Sequence, residues 1–368
     1  MKKLFYISMA ALMVLGAVSC GKDSGKKDSS GSGSKNANCY IVSEPGTYSF
    51  LAVKGNSSVS VGEVDNVYVL WESSAEMSNV VAGDIIAAVY CNLPDPGQPT
   101  TISFITQSPL QNGNALIVAV DAQNDILWSW HIWVCEGYDP SAKAQSWGGG
   151  TPKMMDRNLG ATSAEPGSVG ALGLMYQWGR KDPFPGAGSV SETKKAAAIS
   201  TSWPNVVDNT MLCTIDYATQ FAAWFIKKST TDQDWLYDAT GTEAQNRWAS
   251  KKTIYDPCPA GWRVPDGGEN GFWAKALGSK TVVDREYDDA LHGMHFGSNN
   301  EIWLPTVGYL DFVDALPYCN GSEGYYWTCT YLPDDHQASE MFLRSTGRID
   351  PASTSEAAYG GAVRCCKE

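Results

Sequence analysis

Residues 38–137 hold seven short runs of β-branched and aromatic residues, punctuated by turn residues. The runs are Cys39–Val42, Thr47–Val53, Val67–Trp71, Ile85–Tyr90, Thr101–Ile105, Ala115–Val120 and Ile126–Val134. Glu44-Pro45-Gly46, Lys54-Gly55-Asn56, Asp95-Pro96-Gly97 and Asn112-Gly113-Asn114 stand between them. Branched and aromatic side chains fit a pleated surface, whereas Gly, Pro and Asn break it. Strands at this spacing predict a β-sandwich. In the last run Ile126, Trp128, Trp130, Ile132 and Val134 alternate with Leu127, Ser129, His131 and Trp133. A strand turns successive side chains to opposite faces, so the first set is expected to line the core. His131 falls in the other row and reads as a structural hydrogen-bonding residue rather than a catalyst.

Residues 138–150 are rich in Pro, Ser and Gly and end in Gly148-Gly149-Gly150, which marks a linker. The part beyond, 151–368, is denser in Gly and Trp. Apolar stripes predict a helix over Tyr217–Lys228 (Phe221, Trp224, Phe225) and a shorter one over Asn270–Leu277 (Phe272, Trp273, Leu277). No repeat is visible at solenoid periods. A body of about 330 residues exceeds one typical domain, so two are expected.

The formal charge of −13 excludes a nucleic-acid partner, whose phosphates need a basic face. It also excludes an anionic membrane bound through the body, and it suits neutral or cationic partners. Ten cysteines are many, and there is no Cys-x-x-Cys pair, so neither a zinc ribbon nor a thioredoxin-type site is indicated.

The chain begins Met1-Lys2-Lys3, continues with an apolar run through Val18 and reaches Ser19-Cys20. That is a basic segment and a short apolar segment ending at a processing site, too short to span a bilayer comfortably. Leu15-Gly16-Ala17-Val18-Ser19-Cys20 resembles the lipobox of bacterial lipoproteins. The resemblance implies that 1–19 is a signal peptide and that Cys20 carries lipid. Residues 20–37 then form a lipid-anchored linker. Gly, Ser and alternating charge cannot bury a core, and the fourteen residues Gly21–Ser34 span roughly 20 Å as a coil. The mixed charges after Cys20 resemble surface-export signals of Bacteroidota lipoproteins. The expected location is the outer membrane, facing outward. After lipid takes Cys20, nine cysteines remain, an odd number for a compartment where disulfides persist.

The second part carries an ordered set of landmarks. They are Met155–Ala161 (MDRNLGA), Tyr176–Pro185 (YQWGRKDPFP), Tyr255–Pro265 (YDPCPAGWRVP), Leu304–Tyr309 (LPTVGY), Tyr325–Thr328 (YYWT) and Gly361–Cys365 (GAVRC). In this order they resemble the FISUMP family of Bacteroidota surface lipoproteins, over about residues 150–368. The N-terminal part resembles the segment preceding this domain in fimbrillin-related proteins. The family implies an irregular α+β, C-type-lectin-like fold whose chain ends lie close together. A bridge from Cys258 to Cys365 would suit that topology and contribute roughly 4–5 kcal/mol. Cys366 beside Cys365 leaves the partner ambiguous. Cys319 and Cys329 are candidates to clip the loop between them. Cys39 with Cys91 or Cys135 would staple the sandwich.

Catalytic and metal chemistry find little footing. The calcium–sugar tripeptides Glu-Pro-Asn and Gln-Pro-Asp are absent, since Glu44-Pro45-Gly46 and Glu165-Pro166-Gly167 fail at the third position. An EF-like loop at Asp232, Asp234, Asp238 and Glu243 has Leu236 at a ligand position and Tyr237 where Gly makes the turn. His292-Gly293-Met294-His295 reads as two solvated loop histidines; a metal would need Asp288, Asp289 or Glu301 as well. No Gly-x-Ser-x-Gly, His-Glu-x-x-His or phosphate loop occurs. No catalytic residue, metal or cofactor is expected.

Fourteen Trp and seventeen Tyr point instead to recognition, because their flat faces and polar edges suit stacking on sugars or peptide anchors. Trp178, Trp262 and Trp327 sit inside the landmarks and read as core. Tyr309, Asp311, Tyr318, Glu323 and Tyr325 flank a loop-like stretch and are the candidate ligand-binding residues. The expected function is adhesion to an extracellular glycan or protein through the C-terminal part. The alternative is a structural or accessory component of a fimbria-like assembly, with fimbrial subunits as partners. Both readings tie the protein to the membrane through its N-terminal lipid alone.

Overall fold

The computed structural model of the protein describes residues 36–92, 97–191, 194–209, 213–229, 232–237, 239 and 241–368. The expected signal peptide, Cys20 and the linker as far as residue 35 lie outside the described residues. So do Asp95 and Pro96 of one expected turn and Asp238 of the EF-like loop.

All seven N-terminal runs are strands: β1 Cys39–Val42, β2 Thr47–Leu51, β3 Asn66–Ser74, β4 Ile86–Asn92, β5 Thr101–Thr106, β6 Gly113–Val120 and β7 Ile126–Val134. Further strands are β8 Leu174–Gln177, β9 Phe184–Pro185, β10 Ser200–Thr201, β11 Val206–Asp208, β12 Trp224–Ile226, β13 Trp262–Arg263 and β14 Val283–Asp284. Then come β15 Gly293–Phe296, β16 Ile302–Pro305, β17 Tyr309–Leu310, β18 Pro317–Tyr318, β19 Glu323–Leu332, β20 Gln337–Arg344, β21 Arg348–Glu356, β22 Gly360–Ala362 and β23 Cys366–Lys367. The α-helices are short: α1 Ile215–Gln220, α2 Thr242–Gln245 and α3 Phe272–Leu277. The protein is therefore mostly β, with several sheets and little helix.

One sheet runs β1-β7-β6-β3-β10, and a three-stranded sheet runs β2-β5-β4. Phe50, Ile102 and Phe104 of the smaller sheet meet Ile117, Trp130 and Ile132 of the larger in one cluster. The row containing Trp130 thus lines this core as its alternation predicts. The opposite row does not stay outside. Leu116 and Trp133 join a second, larger cluster with Trp178, Trp262 and Tyr176. β6 is buried along its entire length. The physical reason is that residues 151–368 cover the far face of the β6–β7 pair.

Polar groups complete that contact. Asn38 donates to the carbonyls of Ile254 (2.7 Å) and Asp256 (2.9 Å). Asn114 donates to Gly160 O at 2.9 Å, and Trp133 Nε1 to Ala161 O at 3.1 Å. β10, far along the chain, adds to β3 with Thr201 opposite Ser73. Glu72, wholly buried, accepts the backbone N–H groups of Gly83, Asp84 and Ile86 at 2.9, 3.0 and 2.7 Å and so fixes the approach to β4.

The C-terminal sheet follows the path β14-β21-β20-β19-β22-β17-β18, with β8 attached at β22 and β9 paired to β8. The sequence landmarks converge around it. Met155 N–H bonds Cys365 O, and Leu159 N–H bonds Val363 O. Buried Arg364 donates to Asn158 Oδ1 at 2.9 Å and to Trp303 O at 2.8 Å. Trp178 Nε1 donates to Thr328 O and Trp327 Nε1 to Tyr176 O. Trp178, Trp262 and Trp327 are all core residues. Each large apolar side chain so buried stabilises by about 2–3 kcal/mol.

Three local expectations need correction. The helix expected over Tyr217–Lys228 is α1, which starts at Ile215 behind a Thr214 cap and ends at Gln220. Trp224–Ile226 is instead β12, drawn into parallel pairing with Val206–Asp208. His295 lies in a β-hairpin rather than a loop, opposite Trp303, its ring 4.7 Å from the indole. Its Nδ1 contacts Asn300 O at 3.1 Å.

The third concerns the cysteines. Cys258 and Cys365 are bridged, with Cα atoms 6.0 Å apart. Cys319 and Cys329 are free thiols, as are Cys39, Cys91 and Cys135. Cys319 precedes β19 and Cys329 lies well inside it, so extended chain of roughly 3.3 Å per residue carries the two far beyond bridging distance. Cys39 lies opposite His131 on β7, four residues before Cys135, which follows the end of that strand, and Cys91 belongs to the other sheet.

Candidate functional site

The five candidate residues assemble where β17, β18 and β19 meet. Tyr309 pairs across the narrow hairpin with Tyr318. The hairpin turn is built by its own carboxylates: Asp311 Oδ1 accepts Val313 N–H at 2.7 Å, and Asp314 Oδ1 accepts Leu316 N–H at 3.0 Å. Leu310 anchors the hairpin in the core. Gly308 N–H donates to Glu323 O at 2.7 Å, which brings the start of β19 alongside. Tyr309, Tyr318 and Tyr325 are half-buried, with one side on the sheet and one open to water.

Tyr309 is the hub. Its ring centroid lies 6.0 Å from that of Tyr318, nearly parallel, and 5.1 Å from that of Tyr325, edge on. A third ring, Tyr359, stands 5.0 Å away, brought there because β22 pairs with β17 at Leu310–Gly360. Phe312 packs on Tyr359 at 5.0 Å, and Phe342 on Tyr325 at 5.0 Å. Offset and edge-on geometries of this kind add about 0.5–1.5 kcal/mol per pair beyond area burial.

The polar groups are ordered around these rings. The Tyr325 hydroxyl donates to Glu323 Oε2 at 2.8 Å, and Arg344 holds Glu323 Oε1 at 3.0 Å. The Tyr318 hydroxyl donates to Asp314 Oδ2 at 3.1 Å, and Lys195 reaches the same oxygen at 2.7 Å. Burial pushes the Tyr309 hydroxyl well above its ordinary range; burial and then the Glu323 carboxylate do so for Tyr325. Burial and Glu323 also raise the Cys319 thiol. These groups are moved away from the nucleophilic form. What the arrangement offers is flat aromatic faces flanked by fixed hydrogen-bond acceptors.

Two contributors, Glu340 and Tyr359, were not among the candidates. Glu340 is buried beside this face, accepts from Ser355 Oγ at 2.8 Å, and has no hydrogen-bond partner at Oε2. Burial raises its pKa from 4.5 to about 8. Glu340, Phe342 and Arg344 alternate along β20, a spacing that puts all three on one face. That alternation was the available signal. Tyr359 had none.

The other singled-out residues lie elsewhere. His131 is buried, its Nε2 2.9 Å from Asn114 Oδ1, and burial lowers its pKa from 6.5 to about 3. Asp234 is committed to a buried ion pair with Arg247. Among the described residues no cluster of three or more His, Cys, Asp or Glu has metal-ligand geometry, and no helix is long and apolar enough to cross a membrane.

A separate cleft of about 460 Å³ runs beside β1, lined by Cys39, Ile41, Tyr48, Phe50, Tyr138 and Trp262. β1 is an edge strand. Asn38 O and Val42 O bond to β7, so alternation turns the peptide groups of Cys39 and Ile41 away from the sheet.

Fold and site together define a β-rich, disulfide-stapled protein with a tyrosine-centred surface patch. Comparison with protein families, curated proteins and solved structures found no match to this chain.

Proposed function

We propose that this protein is a lipid-anchored surface lipoprotein of the FISUMP kind, which binds an extracellular glycan or protein through residues 151–368. The lipobox-like segment ending at Cys20 and the Gly/Ser leash support a tether at the outer membrane, facing outward. The two N-terminal sheets sharing one core support the sandwich reading of 38–137. The landmark segments that converge on Arg364, Trp178 and Trp327 support a lectin-like reading of the rest. One observation carries the binding role: Tyr309, Tyr318 and Tyr325 join Tyr359, more than thirty residues further along the chain, in a single half-exposed aromatic face. Purified protein and a Tyr309→Ala variant, each checked for folding, should be displayed against glycan and extracellular-protein arrays. A signal lost in the variant supports the role; silence from the wild type on both arrays removes it.

A second reading rests on the edge of β1. A cleft beside outward-facing peptide groups suits the addition of an extended strand from a neighbouring subunit, as in a fimbria-like assembly. Surface filaments isolated without this chain would remove that reading.

A further inference from the structure

Three cations touch the rim of the tyrosine patch, and each is already paired. Lys195 holds Asp314 at 2.7 Å, Lys228 holds Glu356 at 3.3 Å and Arg344 holds Glu323 at 3.0 Å. Each also stands over a rim ring: Lys195 is 6.0 Å from the Tyr318 centroid, Lys228 5.2 Å from Phe312, and Arg344 5.0 Å from Phe342. Aromatic faces attract cations through the ring quadrupole, and Lys and Arg heads fill that role at the rim. Among the described residues, no cation stands over the central rings Tyr309, Tyr325 and Tyr359.

A carboxyl group near the centre is likewise without a cation. Glu340 is 1% exposed and Oε2 has no partner. It lies two residues from Phe342 on β20, so both point to the same face, and Phe342 is the residue opposite Tyr325. The carboxyl therefore lies on the same face of the sheet as the Tyr325–Phe342 pair, one alternation along β20. The groups that face it are Glu323 and Tyr325 from β19 and Asp350, Ser353 and Ser355 from β21. None is a cation, and Arg344 on its own strand is bound to Glu323.

We propose that the Tyr309–Tyr325–Tyr359 face binds an ammonium or guanidinium group carried by a basic segment of a partner protein. This rests on the reading of the patch as a binding face and narrows it to one ligand chemistry. Central rings without a cation, a spare carboxyl oxygen on the same face and a chain charge of −13 all favour positive charge over a neutral sugar. A bound cation favours the ionised form of Glu340, so binding releases a proton, and affinity rises as pH increases toward about 8.

The test is calorimetric titration of the full chain with lysine- and arginine-rich, neutral and acidic peptides of equal length, on either side of pH 8. The basic peptide alone should bind, more tightly at the higher pH. Tyr309→Ala should weaken it by roughly tenfold. Glu340→Gln, close to isosteric, should keep the fold by circular dichroism and lose the pH dependence. Equal binding of the neutral peptide, or a pH dependence unchanged in Glu340→Gln, overturns the inference. Glycan binding without peptide binding overturns it while leaving the patch a binding face. Silence towards peptides and glycans alike, with the fold intact, removes both.

Discussion

Lys181 Nζ lies 2.6 Å from Asp182 Oδ1, and both side chains are almost entirely shut off from water. The pair meets the Ser129 hydroxyl of β7, so it sits on the seam between the N-terminal sheet and the rest of the chain. Burial pulls the Lys181 pKa down, and Asp182 offsets part of that pull. Lys181→Met should leave a buried carboxylate without its cation and cost about 3–5 kcal/mol in urea denaturation. Lys181→Met combined with Asp182→Leu should recover most of that loss. An equally unstable double variant would contradict the account.

Glu340 makes stability depend on pH. The folded protein holds this proton up to about pH 8, whereas the unfolded chain releases it near 4.5. The unfolded state thus binds fewer protons inside that window, and stability falls as pH rises through it. The loss at neutral pH is about 3 kcal/mol. Glu340→Gln should flatten that slope and raise neutral-pH stability relative to wild type. A slope unchanged in the variant would sink this assignment.

His131 acts in the opposite direction. Its folded pKa is about 3, against 6.5 unfolded, so the unfolded chain takes up a proton that the native state refuses. Its contribution is full above pH 6.5 and is lost as pH falls to about 3. By the middle of that window the loss is about 2–3 kcal/mol. His131→Gln should reduce the difference in stability between neutral and mildly acidic buffer, read by chemical denaturation in both.

The Cys258–Cys365 bridge closes a segment with a sequence separation of 107. Replacing both cysteines with Ala should cost about 4–5 kcal/mol by the loop-entropy argument. Cys319→Ser should cost far less, because that thiol is unpaired and only half-buried. Thermal melts of the two variants would separate the cases, and equal losses would refute the difference.

The strands of residues 38–137 were readable because alternation and turn chemistry are local properties. The burial of both faces of β6 and β7 was not, since it depends on a partner surface made by residues far away. Trp224–Ile226 follows the same logic: its aromatic spacing suits a helix, but pairing with Val206–Asp208 decides the outcome. Tyr309, Tyr318 and Tyr325 could be grouped because they belong to one short stretch of chain. Tyr359 and Glu340 join them only through the register of β20 and β22; alternation along β20 places Glu340 on one face with Phe342 but does not say which strand that face meets. The Cys319–Cys329 pairing failed for a related reason, because proximity in sequence becomes distance once the intervening chain is a straight strand.

The pairing of β10 with β3 has a consequence for the order of events during synthesis. A ribosome delivers Ser73 and Ser74 well before Ser200 and Thr201, the residues that cover them. Through that interval the nascent chain carries a bare strand edge, as β1 does until β7 emerges. Contacts this far apart in sequence form slowly, and bare edges invite wrong partners. The last stretch of the N-terminal sheet can therefore close only after the later part of the chain is available.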